Sequence, residues 1–196
     1  MDLQVVFPVI GFIGGMILLI YFTQFYAPHR AEIDESIAYL KQNRWIARRE
    51  YIPDKRLYNI FCENYTDPKV LSDMAGDILR HMGLPNVHIP VYPVSEMDGK
   101  AAGLYKQSMY GSCIEIKIEG RMMPNNVLAV LIHECMHYYL RTTGLGFQDT
   151  LKNEILTDTA TIYFGFYEFI YSGYLNVGYI RYSEIKYIER VLDQDR

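Results

Sequence analysis

Three residues in the stretch VLAVLIHECMHYYL, residues 127–140, are chemically out of place: His133, Glu134 and His137 interrupt an otherwise apolar run. At 3.6 residues per helical turn the two histidines lie one above the other on a single face, with Glu134 beside them. The spacing is HExxH. Two imidazole nitrogens one turn apart can bind a single Zn²⁺, and the intervening carboxylate can take a proton from a water that the metal acidifies. The same pattern also describes two histidines on a half-buried helix, so a third ligand decides between the readings.

The stretch NEILTDTA, residues 153–160, offers one. A catalytic zinc needs a third protein ligand and an open position, and His₂Glu is a known set. Glu154 follows His137 with sixteen residues between them. Within that interval RTTGLGFQD reads as a helix end and a turn, with Gly144 suited to a left-handed cap. The chain then reverses into an antiparallel helix, and Glu154 faces back toward the histidines. Asp158, one turn further on the same face, is placed to accept the free ring N–H of a ligand histidine and fix its tautomer. The competing reading of this pair is an acidic, solvated first turn of a helix. That reading leaves the two histidines unexplained, so one Zn²⁺ per chain on His133, His137 and Glu154 is the expectation.

HECMH followed by NEILTD resembles the gluzincin metallopeptidases, the thermolysin-like group, in which an HExxH helix precedes a helix carrying N-E-x-x-S/T-D. The resemblance covers residues 124–172 and rests on two motifs in the right order. It implies His133, His137 and Glu154 as zinc ligands, Glu134 as general base, Asp158 as partner of a ligand histidine and Asn153 as a substrate contact. Two departures stand against it. The link between the motifs is shorter than in thermolysin-like enzymes, and the chain is far shorter than their two-domain architecture. A metzincin reading fails, because Leu140 and Thr143 stand where HExxHxxGxxH needs glycine and histidine.

The rest of the chain bounds the activity. With 196 residues and a formal net charge of −4, there is room for one catalytic domain and no basic surface for nucleic acid. Val5–Phe22 runs without a charged side chain, which is near the length that spans a bilayer. The start, MDLQ, lacks the basic residues of a secretory signal. The expectation is an uncleaved transmembrane helix, with Gly11 and Gly15 as a weak GxxxG pair for a homo-oligomer. Arg30, Lys41, Arg44, Arg48 and Arg49 follow the span and none precedes it, which predicts a single-pass protein with its catalytic domain on the cytoplasmic side. Cys62, Cys113 and Cys135 form an odd set without paired spacing and are expected as free thiols.

These signals divide the chain into a transmembrane anchor over 1–28, a juxtamembrane helical segment over 29–66 and a zincin-like metallopeptidase domain over 67–196. The juxtamembrane helix carries Ile33, Ile37, Leu40 and Arg44 on one stripe; it either lies along the membrane with Trp45 and Tyr51 at the headgroups or packs on the catalytic domain. Asp67, Pro68 and Gly83 bound a helix with Val70, Leu71, Met74, Ile78 and Leu79 on its apolar face. NVHIPVYPV, AGLYKQSMY and GSCIEIKIEG read as strands, with Gly111 at a turn. The expected fold is α+β, a short antiparallel sheet beside the HExxH helix and a mostly helical C-terminal part. CIEIKIE is the candidate strand for binding an extended peptide, although Ile114, Ile116 and Ile118 on one face equally describe core. The aromatic segment 160–180 is expected to pack beneath the site, with a membrane-apposed surface as the alternative. Tyr163, Tyr167 and Tyr110 are candidates to stabilise an oxyanion, with nothing in the sequence to choose among them, and His81 and His88 are no better placed. Ser183 is read as the cap of a closing helix.

The expected function is metal-assisted hydrolysis of a peptide bond in a peptide or protein substrate, with Glu134 moving the proton. Two alternatives are a non-catalytic, zinc-stabilised binding module and a zinc hydrolase acting on a non-peptide amide.

Overall fold

The computed structural model describes residues 27–43, 49–97, 101–109, 111–120, 122–173 and 179–194. Helix boundaries follow the capping chemistry of the sequence. Helix α1 spans Arg30–Asn43 and α2 spans Lys55–Asn64, whose first turn is capped by Asp54 through the Leu57 amide at 2.8 Å. Helix α3, Pro68–His81, begins with Pro68 at its first position, and Asp67 accepts from the amides of Lys69 and Val70 at 2.8 and 3.0 Å. Its predicted apolar stripe is the buried one: Leu71, Met74, Ile78 and Leu79 are all fully inaccessible.

Three strands follow: β1 (Val91–Val94), β2 (Gly103–Ser108) and β3 (Gly111–Lys117). The sheet order is β1-β3-β2, with β1 parallel and β2 antiparallel to β3. The expected all-antiparallel sheet is therefore a mixed one, because the chain enters β1 from α3 and must cross β3 to make the β2–β3 hairpin. CIEIKIE lies mostly in the central strand rather than at an edge, and Ile114 and Ile116 are fully buried in the core. The strand beside the HExxH helix is β2.

Helices α4 (Pro124–Thr142), α5 (Thr150–Tyr163), α6 (Tyr167–Gly173) and α7 (Tyr182–Asp193) complete the fold. One hydrophobic cluster runs from Ile33 to Leu192 and draws on every helix from α1 to α7 and on the sheet's inner face. The aromatic stretch after Asp158 joins it, with Phe164 and Phe166 at 2% and 0% exposure. Arg181, not Ser183, precedes the last helix, and Glu184 supplies the cap by accepting from the Arg181 amide at 2.7 Å.

The membrane expectations are not upheld. Among the described residues no helix is long and apolar enough to cross a membrane. Val5–Phe22, with Gly11 and Gly15, lies outside the described residues, as does Trp45. A single-pass location with an inward-facing domain thus loses its support. The helix expected to be juxtamembrane packs against α5. Its Ile33, Ile37 and Leu40 are buried, each side chain contributing about 1.5–3 kcal/mol to that docking. Of the two alternatives for this region, packing on the domain holds for Tyr51 too: it is buried, and its hydroxyl donates to Asp77 at 2.8 Å.

Candidate metal centre

A helical hairpin carries the centre. Helix α4 ends in a Schellman turn: the Leu145 amide donates to the Leu140 carbonyl at 2.8 Å, the Gly144 amide to the Arg141 carbonyl at 3.2 Å, and Gly144 takes the left-handed conformation at φ +73°. The chain reverses there, and Asp149 starts α5 by accepting from the Lys152 amide at 2.8 Å. Asn153 steadies the turn, its Oδ1 accepting from the Phe147 amide at 2.9 Å. Its oxygen is thus committed to the loop, a different duty from the substrate contact implied by the resemblance.

This reversal brings His133, His137 and Glu154 together as a group able to hold a metal ion. The two Nε2 atoms are 3.0 Å apart, and Glu154 Oε2 lies 3.3 Å from that of His133 and 3.2 Å from that of His137. Atoms bound at about 2.0–2.1 Å in a tetrahedral site are separated by about 3.3–3.4 Å, close to this triangle.

The hydrogen bonds behind the rings determine what the triangle presents. Asp158 Oδ1 accepts from His133 Nδ1 at 2.8 Å. Thr157 donates its hydroxyl proton to the Asn153 carbonyl at 2.8 Å, so toward His137 Nδ1, at 3.3 Å, it can only accept. Both rings are thereby protonated at Nδ1 when neutral, leaving two Nε2 lone pairs and a carboxylate oxygen aimed at one another. Three acceptors at this range repel unless a proton or a cation lies among them. The donor set therefore fits a divalent metal. In the metal-free protein, burial would lower the His133 pKa, but Asp158 and Glu154 outweigh it and raise the pKa well above its ordinary value. Burial likewise works to raise Glu154, yet the hydrogen bonds from the two histidines bring it down to about 2.

Asp158 is itself held. Its Oδ2 accepts from the amides of Tyr179 and Ile180 at 3.1 and 3.2 Å, where the chain turns into α7. Glu134 lies beside the histidines on α4 at 5% exposure, with Oε2 accepting from the Tyr105 amide of β2 at 2.7 Å. Burial pushes its carboxyl upward, a shift moderated by the two histidines and by that amide. Every ligand and partner expected from the motifs is thus in the cluster or in contact with it.

The oxyanion candidates fare differently. Tyr163 is buried at the end of α5, Tyr167 stacks on Tyr171 at 5.4 Å, and Tyr110 lies outside the described residues. His81 Nε2 donates to the Phe164 carbonyl at 2.8 Å, and His88 is exposed. The Tyr167 ring and His81 Nε2 are thus engaged with partners other than the metal-binding group. Thr157, Gly103, Tyr105 and the amides of Tyr179 and Ile180 went unassigned on sequence grounds. Thr157 had a signal, since it stands one turn after Asn153 and three residues after Glu154. The others act through backbone or through a missing side chain, which composition does not mark. Cys62, Cys113 and Cys135 are free, and Cys135 is buried in α4, where burial pushes its thiol upward.

No protein-family model matches the chain, and comparison with characterised proteins and with solved structures finds nothing similar to it.

Proposed function

We propose that this protein is a zinc-dependent metallopeptidase of gluzincin type, with His133, His137 and Glu154 as ligands and Glu134 as general base. The observation that carries the reading is the triangle of Nε2, Nε2 and Oε2 at 3.0–3.3 Å with a buried carboxylate next to it. Zinc suits the set, being commonly bound by imidazole and carboxylate in tetrahedral sites. A zinc ion held there would polarise a carbonyl oxygen and acidify water to near neutral pH. Glu134 would take the proton from the attacking water and pass it to the leaving amine, while Asp158 and Thr157 keep both Nε2 lone pairs directed into the triangle. Among the described residues the group has three protein ligands, as catalytic zinc sites do, whereas structural sites are closed by four. This argues against a purely bracing role.

The sheet edges favour an extended peptide as substrate. The outer edge of β1 is closed: the Val91 amide donates to Ser72 at 2.9 Å, and Pro93 has no N–H. The outer edge of β2 runs beside Glu134. Because the Lys117 amide donates to the Ala102 carbonyl at 2.9 Å, alternation turns the backbone groups of Gly103, Tyr105 and Gln107 away from β3. A peptide added as a further strand would meet the Tyr105 carbonyl and both groups of Gln107 there.

The test is zinc content and peptide hydrolysis measured together. Wild type should hold about one zinc per chain, Glu154→Ala should lose it, and Glu134→Gln should keep zinc while losing hydrolysis by at least about 100-fold. A Glu134→Gln variant that hydrolyses peptide like wild type would remove the proton-transfer role.

A further inference from the structure

We propose that strand β2 is the positioning element for Glu134: the backbone amide of Tyr105 fixes one carboxylate oxygen, and the absence of a side chain at Gly103 leaves room for the other. This rests on the reading of Glu134 as the base. Two independent features of the strand converge on the carboxylate. The Tyr105 N–H points away from the β3 ladder and meets Glu134 Oε2 at 2.7 Å, a charge-assisted distance. Two residues earlier, a Cβ on Gly103 would stand 2.6 Å from Glu134 Oε1 and 2.7 Å from both Glu134 Cγ and Val130 Cγ1. Carbon atoms do not approach so closely, so any larger residue at 103 must displace the Glu134 and Val130 side chains or shift the strand. Glycine is needed here for proximity.

The arrangement makes the two oxygens unequal. A carboxylate at 5% exposure with no fixed donor rotates between equivalent positions; with Oε2 held by the strand, Oε1 is the oxygen left to take a proton. The strand is itself anchored, since the Tyr105 hydroxyl and Ser112 Oγ are 3.2 Å apart and the Tyr105 ring meets Tyr138 edge-on at 5.8 Å. Tyr105 is accordingly a positioning residue through its main chain. The same amide is withheld from a docking peptide, so at Tyr105 a bound strand pairs through the carbonyl alone.

Tyr105→Pro deletes this N–H at an edge position where the ladder does not use it, the setting in which strands tolerate proline. Tyr105→Ala removes the same side chain and keeps the N–H, so the ratio between the two isolates the amide. The probe is acetohydroxamate bound to the zinc-loaded protein by calorimetry: it chelates the metal and needs a carboxylate beside it to accept its hydroxyl proton, so no turnover is required. Zinc content should be unchanged in all variants. Tyr105→Pro should bind the probe at least about tenfold more weakly than Tyr105→Ala, the scale of a hydrogen bond to a charged group. Gly103→Ala, whose Cβ would press on Glu134 Oε1 and Cγ while leaving the amide in place, should weaken the probe by a similar factor and covers a proline variant that fails to fold. Equal affinity in Tyr105→Pro and Tyr105→Ala would overturn the proposal. If Glu134→Gln binds the probe like wild type, the base assignment falls first and takes this inference with it; if wild type takes up no zinc, the metal reading falls.

Discussion

Asp158 is the most informative residue to perturb, because both of its oxygens are committed. Oδ1 accepts from His133 Nδ1 at 2.8 Å, and Oδ2 accepts from the amides of Tyr179 and Ile180 at 3.1 and 3.2 Å. Asp158→Asn preserves the shape and exchanges one acceptor for an NH₂ donor, and neither orientation of the new amide satisfies both sides. With nitrogen toward His133, Nδ1 must accept, the ring proton moves to Nε2, and the lone pair that would hold the cation is lost. With nitrogen toward Tyr179 and Ile180, two backbone donors face a third, and a buried donor left unpaired costs about 1–3 kcal/mol. The variant must therefore lose metal affinity, stability or some of each. Partners that orient a ligand histidine are worth about 10–100-fold in affinity, or about 1.4–2.7 kcal/mol. Zinc affinity measured in competition with a chromogenic chelator should fall by that factor, and the metal-free variant should melt below the metal-free wild type. Zinc binding within about threefold of wild type, with an unchanged melting temperature, would refute the tautomer argument, since less than about 0.7 kcal/mol would then be at stake.

Thr157→Val removes the acceptor behind His137 and should weaken zinc by about tenfold, whereas Thr157→Ser should restore most of it; chelator competition reads both. The metal-free protein should have a stability maximum in mildly acidic solution. His133, raised above 6.5, contributes stability that is present below that value and lost as pH rises through its folded value. Glu154, lowered from 4.5 to about 2, contributes stability that is present above 4.5 and lost as pH falls toward 2. Denaturant unfolding in excess chelator across this range checks both limbs, and stability rising steadily above pH 7 would contradict the first. Gly144→Ala, at φ +73°, should cost about 1–2 kcal/mol in urea unfolding without changing zinc stoichiometry.

The parts of this molecule legible in its sequence are those governed by periodicity and capping. His133, His137, Glu154 and Asp158 occupy one-turn spacings on two helices, and Gly144 marks the reversal that faces them together, so helix geometry alone brings them close. The α3 boundaries were equally visible, because Asp67, Pro68 and Gly83 each act locally. Strand order was not: β1 beside β3, with β2 at the edge, depends on which faces bury Ile114 and Ile116, and a short alternating run does not encode its neighbour. The seat of Glu134 was invisible for a different reason, as a main-chain N–H is present at nearly every residue and only the fold selects Tyr105. An apolar stripe on α1 specified that Ile33, Ile37 and Leu40 would be covered, but not by what; α5 covers them.

All three residues of the candidate metal group, together with the side chains that orient both imidazoles, sit within the α4–α5 hairpin between Pro124 and Tyr163, whereas the groups that seat Glu134 come from β2. Their contacts differ in loop-closure entropy. A helix pair joined by a short turn forms through local contacts and closes quickly, while docking β2 onto α4 requires the β2–β3 sheet to be in place. A nascent chain can thus capture a cation before its base is aligned. On the reading proposed for this centre, metal binding would stabilise the hairpin itself, whereas hydrolytic competence would have to wait until β2 docks on α4.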